Sequence, residues 1–377
     1  MAHMNLATSV SPKVDELFEK KSQVEIALNK DYDLTGLRSV KIYSIPVVPL
    51  SDYNRISGYG TPVNLGNNIQ GHEITRDRSF YIHLDKGDYL QSQMVMNAGK
   101  VLARETALMT IPEYDGYCFG KLKDAASNVG NLSTEAITTS NAYASLLAGM
   151  ERLGDQNVPD EGRVAFCSYN FCSKVMQDDA FVRYGDKSQE MLSKGIIGEI
   201  DGCKIARVPS GRLPFGTAFL ITHPSAACAP KQLEEFTIID KPQGYSGWLI
   251  QGRTIYDCFV TNNKAYGIYW HGGQSNLRNM QVMTVGSTTS GKFNVVIMAP
   301  SEKGASGNKW YVDTADTHAN LIAVTPGSAI TTGNWTELTA NGGELSPVAA
   351  TDKFCRVVEV DSNSVPVSIG DCILNLG

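Results

Sequence analysis

The chain has 377 residues, 42% of them apolar and only 19% charged, with 35 glycines and a formal net charge of −6. A chain of that length has room for two or three domains and buries a substantial core without disulfides or metals. The acidic balance, with no long Lys/Arg block, excludes the electrostatic footprint of a nucleic-acid-wrapping or membrane-surface protein.

Residues 1–10 show no basic segment followed by an apolar one, and no apolar run reaches the length of a membrane span, so synthesis in the cytoplasm is expected. Met4 offers a second start, and residues 1–4 carry no argument. The eight cysteines are scattered, with only Cys167 and Cys172 close in sequence, which fits a reducing site of synthesis.

Within residues 11–30, Val14, Leu17, Phe18, Val24 and Leu28 fall at three-to-four spacing and predict a short amphipathic helix in a polar arm. Strand alternation follows at Val40 and Ile42, and again at Ile74, Phe80, Ile82 and Leu84. The turn-rich span 51–71 lies between them. Residues 39–86 therefore read as a two-stranded extension with a polar, Gly-rich tip, and an isolated hairpin of this kind needs a neighbour for stability. From Asp88 the pattern turns helical through Met94, Val101, Leu108, Phe119 and Leu122, with Pro112 expected to kink the helix or start a second one.

A helix is expected over 134–153, then the strand RVAFCSYNF, a helical stretch beginning at Phe181, and a hairpin turning at Asp201-Gly202. This mixture defines an α+β domain over 128–245. Strand-rich chain returns over 246–273. Residues 274–377 hold Val, Ile and Thr runs broken by Gly, Asn and Pro, which predicts an all-β C-terminal domain.

The segment Gly286-Ser-Thr-Thr-Ser-Gly-Lys292 is one residue short of a phosphate-binding loop, whose backbone N–H groups and Lys cradle phosphates while a Ser or Thr holds magnesium. Phe293 stands where that hydroxyl belongs, and the β-branched residues after it predict a strand instead of a helix. The segment is therefore read as a flexible crossing at a domain boundary. The six histidines show no paired metal-ligand spacing, no nucleophile elbow is present, and Cys167 reads as a buried hydrophobe. No catalytic residue, cofactor or metal is expected. Trp310 and Trp335 are aromatic candidates for glycan stacking, set against a plain role in core packing.

Taken in order, KVDELFEKKSQVEIALNKDYDLTGLRSVKIYSIPVVPLSDYNR, YGTPVNLGNNIQ, ITRDRSFYIHLDKGDY, PDEGRVAFCSYNF, GIIGEIDGCKIARVPSGRLP, AFLITHPSAACAP and RTIYDCFVTNNKAYGIYW resemble segments of tailed-bacteriophage major capsid proteins. The resemblance covers about residues 5–272. It implies an α+β capsid fold with an N-terminal arm (1–38), an extended loop (39–87), a spine helix (88–127), an axial domain (128–245) and peripheral return strands (246–273). The C-terminal β-domain (274–377) is an addition.

It further implies a structural protein, with hexamers and pentamers tiling an icosahedral head around DNA that is enclosed without sequence-specific contacts. Portal and scaffold proteins are then the expected assembly partners, and the virion capsid is the final location. Arg55, Arg76, Asp77 and Arg78 are the expected intersubunit contacts, since alternating charge suits register-setting across an interface. No Lys lies between Ile42 and Asp85, so a non-covalent shell is expected. The alternatives are a cellular nanocompartment shell of the same fold and a nucleotide-binding enzyme using the 286–292 loop.

Overall fold

A computed structural model describes residues 21–29, 39–44, 47–50, 52, 53, 55, 56, 59, 66, 68–91, 98–177, 196–200, 202–244, 246–273 and 277–376. The helical stretch expected from Phe181 lies outside the described residues, as does most of the helix expected over 11–30. The described part of the latter, Val24–Ala27, is a single 3-10 turn.

The central layer is a six-stranded mixed sheet in the order Leu132–Ser133, Ile268–His271, Phe219–Thr222, Val164–Ser168, Cys203–Val208, Ile196–Ile200. Both of its faces are covered, which is why Val164–Ser168 is buried at every position instead of alternating with polar residues. Val164 and Phe166 face the spine helix Ile111–Asn128 through Phe119 and Leu122. Ala165 and Cys167 face the helices Ala142–Asp155 and Tyr169–Val175 through Leu146, Met150 and Phe171. Each fully buried Phe or Leu contributes about 1.5–3 kcal/mol on removal from water. Ile200 pairs with Cys203 across a two-residue turn whose Gly202 sits at φ +73°, as the Asp-Gly pair predicted.

Two boundaries differ from the sequence expectation, and one agrees with it. The helix expected over 134–153 begins at Ala142, because the Asn141 side chain accepts from Thr138 N at 2.7 Å and donates to Ala136 O at 3.0 Å. Those bonds hold the preceding Thr- and Ser-rich segment as a loop. Pro112 begins a second helical segment, one of the two outcomes expected of it. The π-helical turn Thr106–Thr110 joins Ala98–Glu105 to the spine helix, and Pro112 sits in the spine's first turn, where its missing N–H is tolerated.

The extended loop is the second difference. Its ladder joins Ser39–Ser44 to Asn68–Glu73, whereas Arg76–Asp85 leaves the hairpin and pairs along its whole length with Gly247–Tyr256. Lys231–Asp240 completes that three-stranded sheet. The apolar residues Phe80, Ile82 and Leu84 need a buried face, and the long return strand supplies Ile250, which is fully buried. At the centre of this sheet Gly252 lies between Phe236 and Phe80, whose rings stack at 6.1 Å over the position where a Cβ would stand.

Residues 277–376 form two further sheets. Five strands run in the order Arg278–Asn279, Pro366–Ile373, Phe354–Val360, Lys309–Ala315, Thr336–Leu338, and three run Gln281–Gly286, Phe293–Ala299, Glu344–Leu345. Between them Phe293, Val295, Ile297, Trp310, Val312, Cys355 and Val357 form one core. Tyr311, Trp335, Val358 and Val360 form a second on the far face. Trp310 and Trp335 are therefore core residues, which removes the glycan-stacking reading: neither ring face is open to a sugar.

Candidate functional site

The extension past Ser44 carries its apolar side chains outward. Val47, Leu50, Ile56 and Tyr59 are each at least 89% exposed, and the Tyr53 and Tyr59 rings meet edge to face at 4.9 Å. Most of the polar, Gly-rich span expected at the tip lies outside the described residues, and within 47–59 these described apolar groups stand exposed. Exposed apolar groups gain free energy when another surface covers them. Arg55 is exposed beside Ile56.

The base of the extension is tied down. Thr75 donates from both its N and its Oγ1 to Asp257 Oδ2 at 2.9 Å, and the Tyr117 hydroxyl donates to Asp257 Oδ1 at 2.7 Å. Burial pushes the Tyr117 hydroxyl up to about 12, which keeps it a donor. Arg76 grips Glu302 with two bonds of 2.9 and 2.8 Å while its guanidinium lies 4.5 Å from the Tyr117 ring centre. Arg78 reaches Glu113 at 2.5 Å and Glu302 at 3.3 Å. The hydrogen bonds from Arg76 hold the Glu302 carboxyl below its ordinary range. Loop base, spine helix and C-terminal sheets meet in this clasp.

Asp77 is paired on the opposite face of the strand, where Arg253 donates to it at 3.0 and 2.6 Å. Three of the four charged residues expected at subunit contacts therefore have partners within one chain, and Arg55 stands apart from them at the tip.

The arm is anchored by a second cluster, one that the sequence reading missed. Asp115, fully buried, accepts from Ser22 Oγ at 2.6 Å, from Gln23 N at 3.0 Å and from Arg212 Nη1 at 2.8 Å. Arg212 Nη1 also donates to Lys21 O at 2.9 Å. Burial pushes the Asp115 carboxyl up, against the pull of these donors. The arm's Val24 and Ala27 then pack onto the spine residues Phe119 and Leu122. The available signal was Asp115 itself: it precedes Cys118, Phe119 and Leu122 by three, four and seven residues, which puts a carboxylate on the buried stripe.

The near-match to a phosphate loop is a hairpin tip inside the C-terminal sheets, so the domain boundary expected there is corrected. Gly286 pairs with Phe293, and both flanking strands belong to one sheet. The upstream QVMTVG is itself a strand, with Val282 and Thr284 buried in alternation, a period passed over in reading the segment as a crossing. Lys292 Nζ is held by Glu344 at 3.1 Å, and Ser287 Oγ donates to the same carboxylate. Phe293 is buried in the core. A strand follows Lys292 where a phosphate loop needs a helix N-terminus. Among the described residues no cluster of three or more His, Cys, Asp or Glu is arranged to hold a metal, and no helix is long and apolar enough to cross a membrane.

No protein-family model and no curated protein matches this sequence. Solved structures do match its fold. A chain from Mycobacterium phage Che8 is similar with a TM-score of 0.57 at 19% identity, over 72% of this chain and 98% of that one. The capsid structure of the cyanophage P-SCSP1u gives a TM-score of 0.55 at 12% identity, over 71% and 93%. The asymmetric unit of the bacteriophage PhiM1 mature capsid gives 0.53 at 9%, over 72% and 92%. The class that this architecture defines is the phage capsid fold. The chain has that α+β fold.

Proposed function

We infer that this chain is a major capsid subunit of a tailed bacteriophage, self-assembling into hexamers and pentamers that tile an icosahedral head around the genome. The observation that carries the reading is the capsid fold joined to an extension whose described apolar side chains stand exposed. A neighbouring copy is the partner that would cover them, with Arg55 pairing at the rim of that contact. Arg76 and Arg78, held by Glu302 and Glu113, act one step back by setting the direction in which the extension leaves the subunit. Asp77 and Arg253 are about half exposed and remain available to a neighbour's charges.

The subunit is made in the host cytoplasm, assembles with portal and scaffold proteins, and ends in the virion. Its function is structural, not enzymatic. With a net charge of −6 it encloses DNA without gripping it. The shell is held together non-covalently. The C-terminal sheets, about the size of the share of the chain that the similar capsid structures leave uncovered, are an appended domain clasped to the loop base.

Electron microscopy of the expressed full chain tests the reading. Closed shells of uniform size are expected. A protein that stays monomeric at high concentration, alone and with its scaffold, would overturn it. Boiling purified shells in denaturant should release single chains on a gel, and a ladder of linked subunits would refute non-covalent assembly.

A further inference from the structure

We propose that Cys355 and Cys372 form an oxidisable pair that closes into an intrachain disulfide, stapling the C-terminal strand to its neighbour once the protein leaves a reducing compartment. Both cysteines are free in the structure. They sit directly opposite each other on the antiparallel strands Phe354–Val360 and Pro366–Ile373. Both side chains lie on the face that packs against the three-stranded sheet. Residues directly opposite in an antiparallel ladder have Cα atoms about 4.5 or 5.5 Å apart, depending on the rung, and both values fall within the roughly 4.4–6.8 Å span that a disulfide bridges. Their direct register thus meets the Cα requirement for a bridge.

Position in the hairpin gives the bond a purpose. The turn lies at 361–365, and at the end away from it the pair sits next to Phe354 and Ile373, beyond which Leu374 N still donates to Lys353 O at 2.8 Å. A hairpin frays from its open end, and Ile373 there is 68% exposed. A covalent rung at Cys355 and Cys372 removes that fraying route.

Access distinguishes this pair from the other thiol neighbours. Cys118 lies against Cys258, and Cys167 against Cys172, but all four are buried. Cys372 is partly exposed. The hydrogen bond from the Cys355 thiol also holds Cys372 below the ordinary thiol range and pushes Cys355 above it, so the exposed sulfur is the one that ionises first.

The chemistry balances with a small-molecule disulfide as oxidant. Cys372 loses its proton to solvent, and its thiolate attacks one sulfur of oxidised glutathione, forming a mixed disulfide and expelling one glutathione thiolate. The Cys355 thiol gives up its proton, attacks the Cys372 sulfur and expels the second glutathione. Two cysteine thiols are oxidised, one glutathione disulfide is reduced to two thiols, and one S–S bond joins the strands.

The test treats the folded full-length protein with oxidised glutathione, blocks remaining thiols under denaturing conditions, and maps tryptic peptides without reductant. Cleavage after Lys353 and Arg356 separates the two cysteines, so a linked 354–356/357–377 species is diagnostic. The expected result is that species as the dominant linkage, together with a reductant-sensitive rise in melting temperature that Cys372→Ser abolishes. A stable glutathione adduct on Cys372 without the link, no reaction at Cys372, or linkage mainly through the buried cysteines would each overturn the proposal. The mapping is made on the unsubstituted chain and does not depend on any variant folding.

Discussion

Arg212 meets Asp115 at 2.8 Å inside the core, where the carboxylate is fully buried and the guanidinium almost so. The two come from chain segments 97 residues apart and close over a third, since Ser22, Gln23 and Lys21 of the arm bond to the same pair. Breaking a buried pair by removing one partner costs about 3–5 kcal/mol, because the other charge is left uncompensated. Arg212→Met is expected to lose stability of that order in denaturant unfolding. It should also expose the arm near Lys21 to protease before the rest of the chain unfolds, and simultaneous loss of both would show that the pair does not anchor the arm.

Gly252 allows two phenyl rings to stack across a strand. A Cβ at that position would overlap the Phe80 ring and stand 2.8 Å from Phe236. Gly252→Ala should therefore destabilise by about 1–3 kcal/mol through overpacking, partly offset by the smaller entropy of the unfolded chain. In the Gly252→Ala background, Phe80→Ala should cost less than in the parent, because the clash is relieved. A purely additive double-mutant cycle would contradict the ring-over-glycine arrangement.

Acid should loosen the molecule in two stages. Burial lowers His72, His223 and His271 from 6.5, so the unfolded chain binds protons more readily, and stability falls as pH drops through and below that value. Glu302 is depressed below its ordinary 4.5 by its bonds to Arg76, so its contribution is complete above 4.5 and is lost as pH falls through the lowered value. Melting temperatures recorded stepwise from neutral to acid should show both losses, and Glu302→Gln should reduce the second, to which the depressed Asp77, Glu344 and Asp371 also contribute. Solvent screens this partly exposed pair, so Glu302→Gln should cost about 1 kcal/mol or less at neutral pH.

The exposed tip separates assembly from folding. Leu50→Asp and Ile56→Asp touch no core residue, so monomer stability should stay within about 0.5 kcal/mol of the parent. Shell yield by sedimentation should fall sharply for both. Normal shells from both variants would show that the tip's apolar groups are not an interface.

Local chemistry made some of this legible in the sequence. Gly202 marked its turn, because a two-residue hairpin needs positive φ there. Phe293 marked the start of a strand, because a buried apolar residue stood where a phosphate loop needs a hydroxyl. The spine helix showed in the spacing of Val101, Leu108, Phe119 and Leu122. The charged triplet 76–78 was visible as a pattern but its partners were not, since Glu302 lies more than two hundred residues away. Asp115 was present on an apolar stripe, yet nothing near it in sequence named Arg212.

What the sequence determined by itself was therefore local: the type of its most strongly periodic segments, the Asp-Gly turn, and the order of segments that resembles a capsid subunit. Those properties depend on side-chain period and backbone freedom within a few residues. The tertiary structure alone decided that Arg76–Asp85 leaves its hairpin for a distant return strand, that Gly286–Lys292 is a hairpin tip instead of a boundary, and that the arm is held through Asp115 and Arg212. Each of those outcomes depends on which remote surface buries the most apolar area and satisfies the most buried polar atoms, and only the folded chain brings those surfaces together.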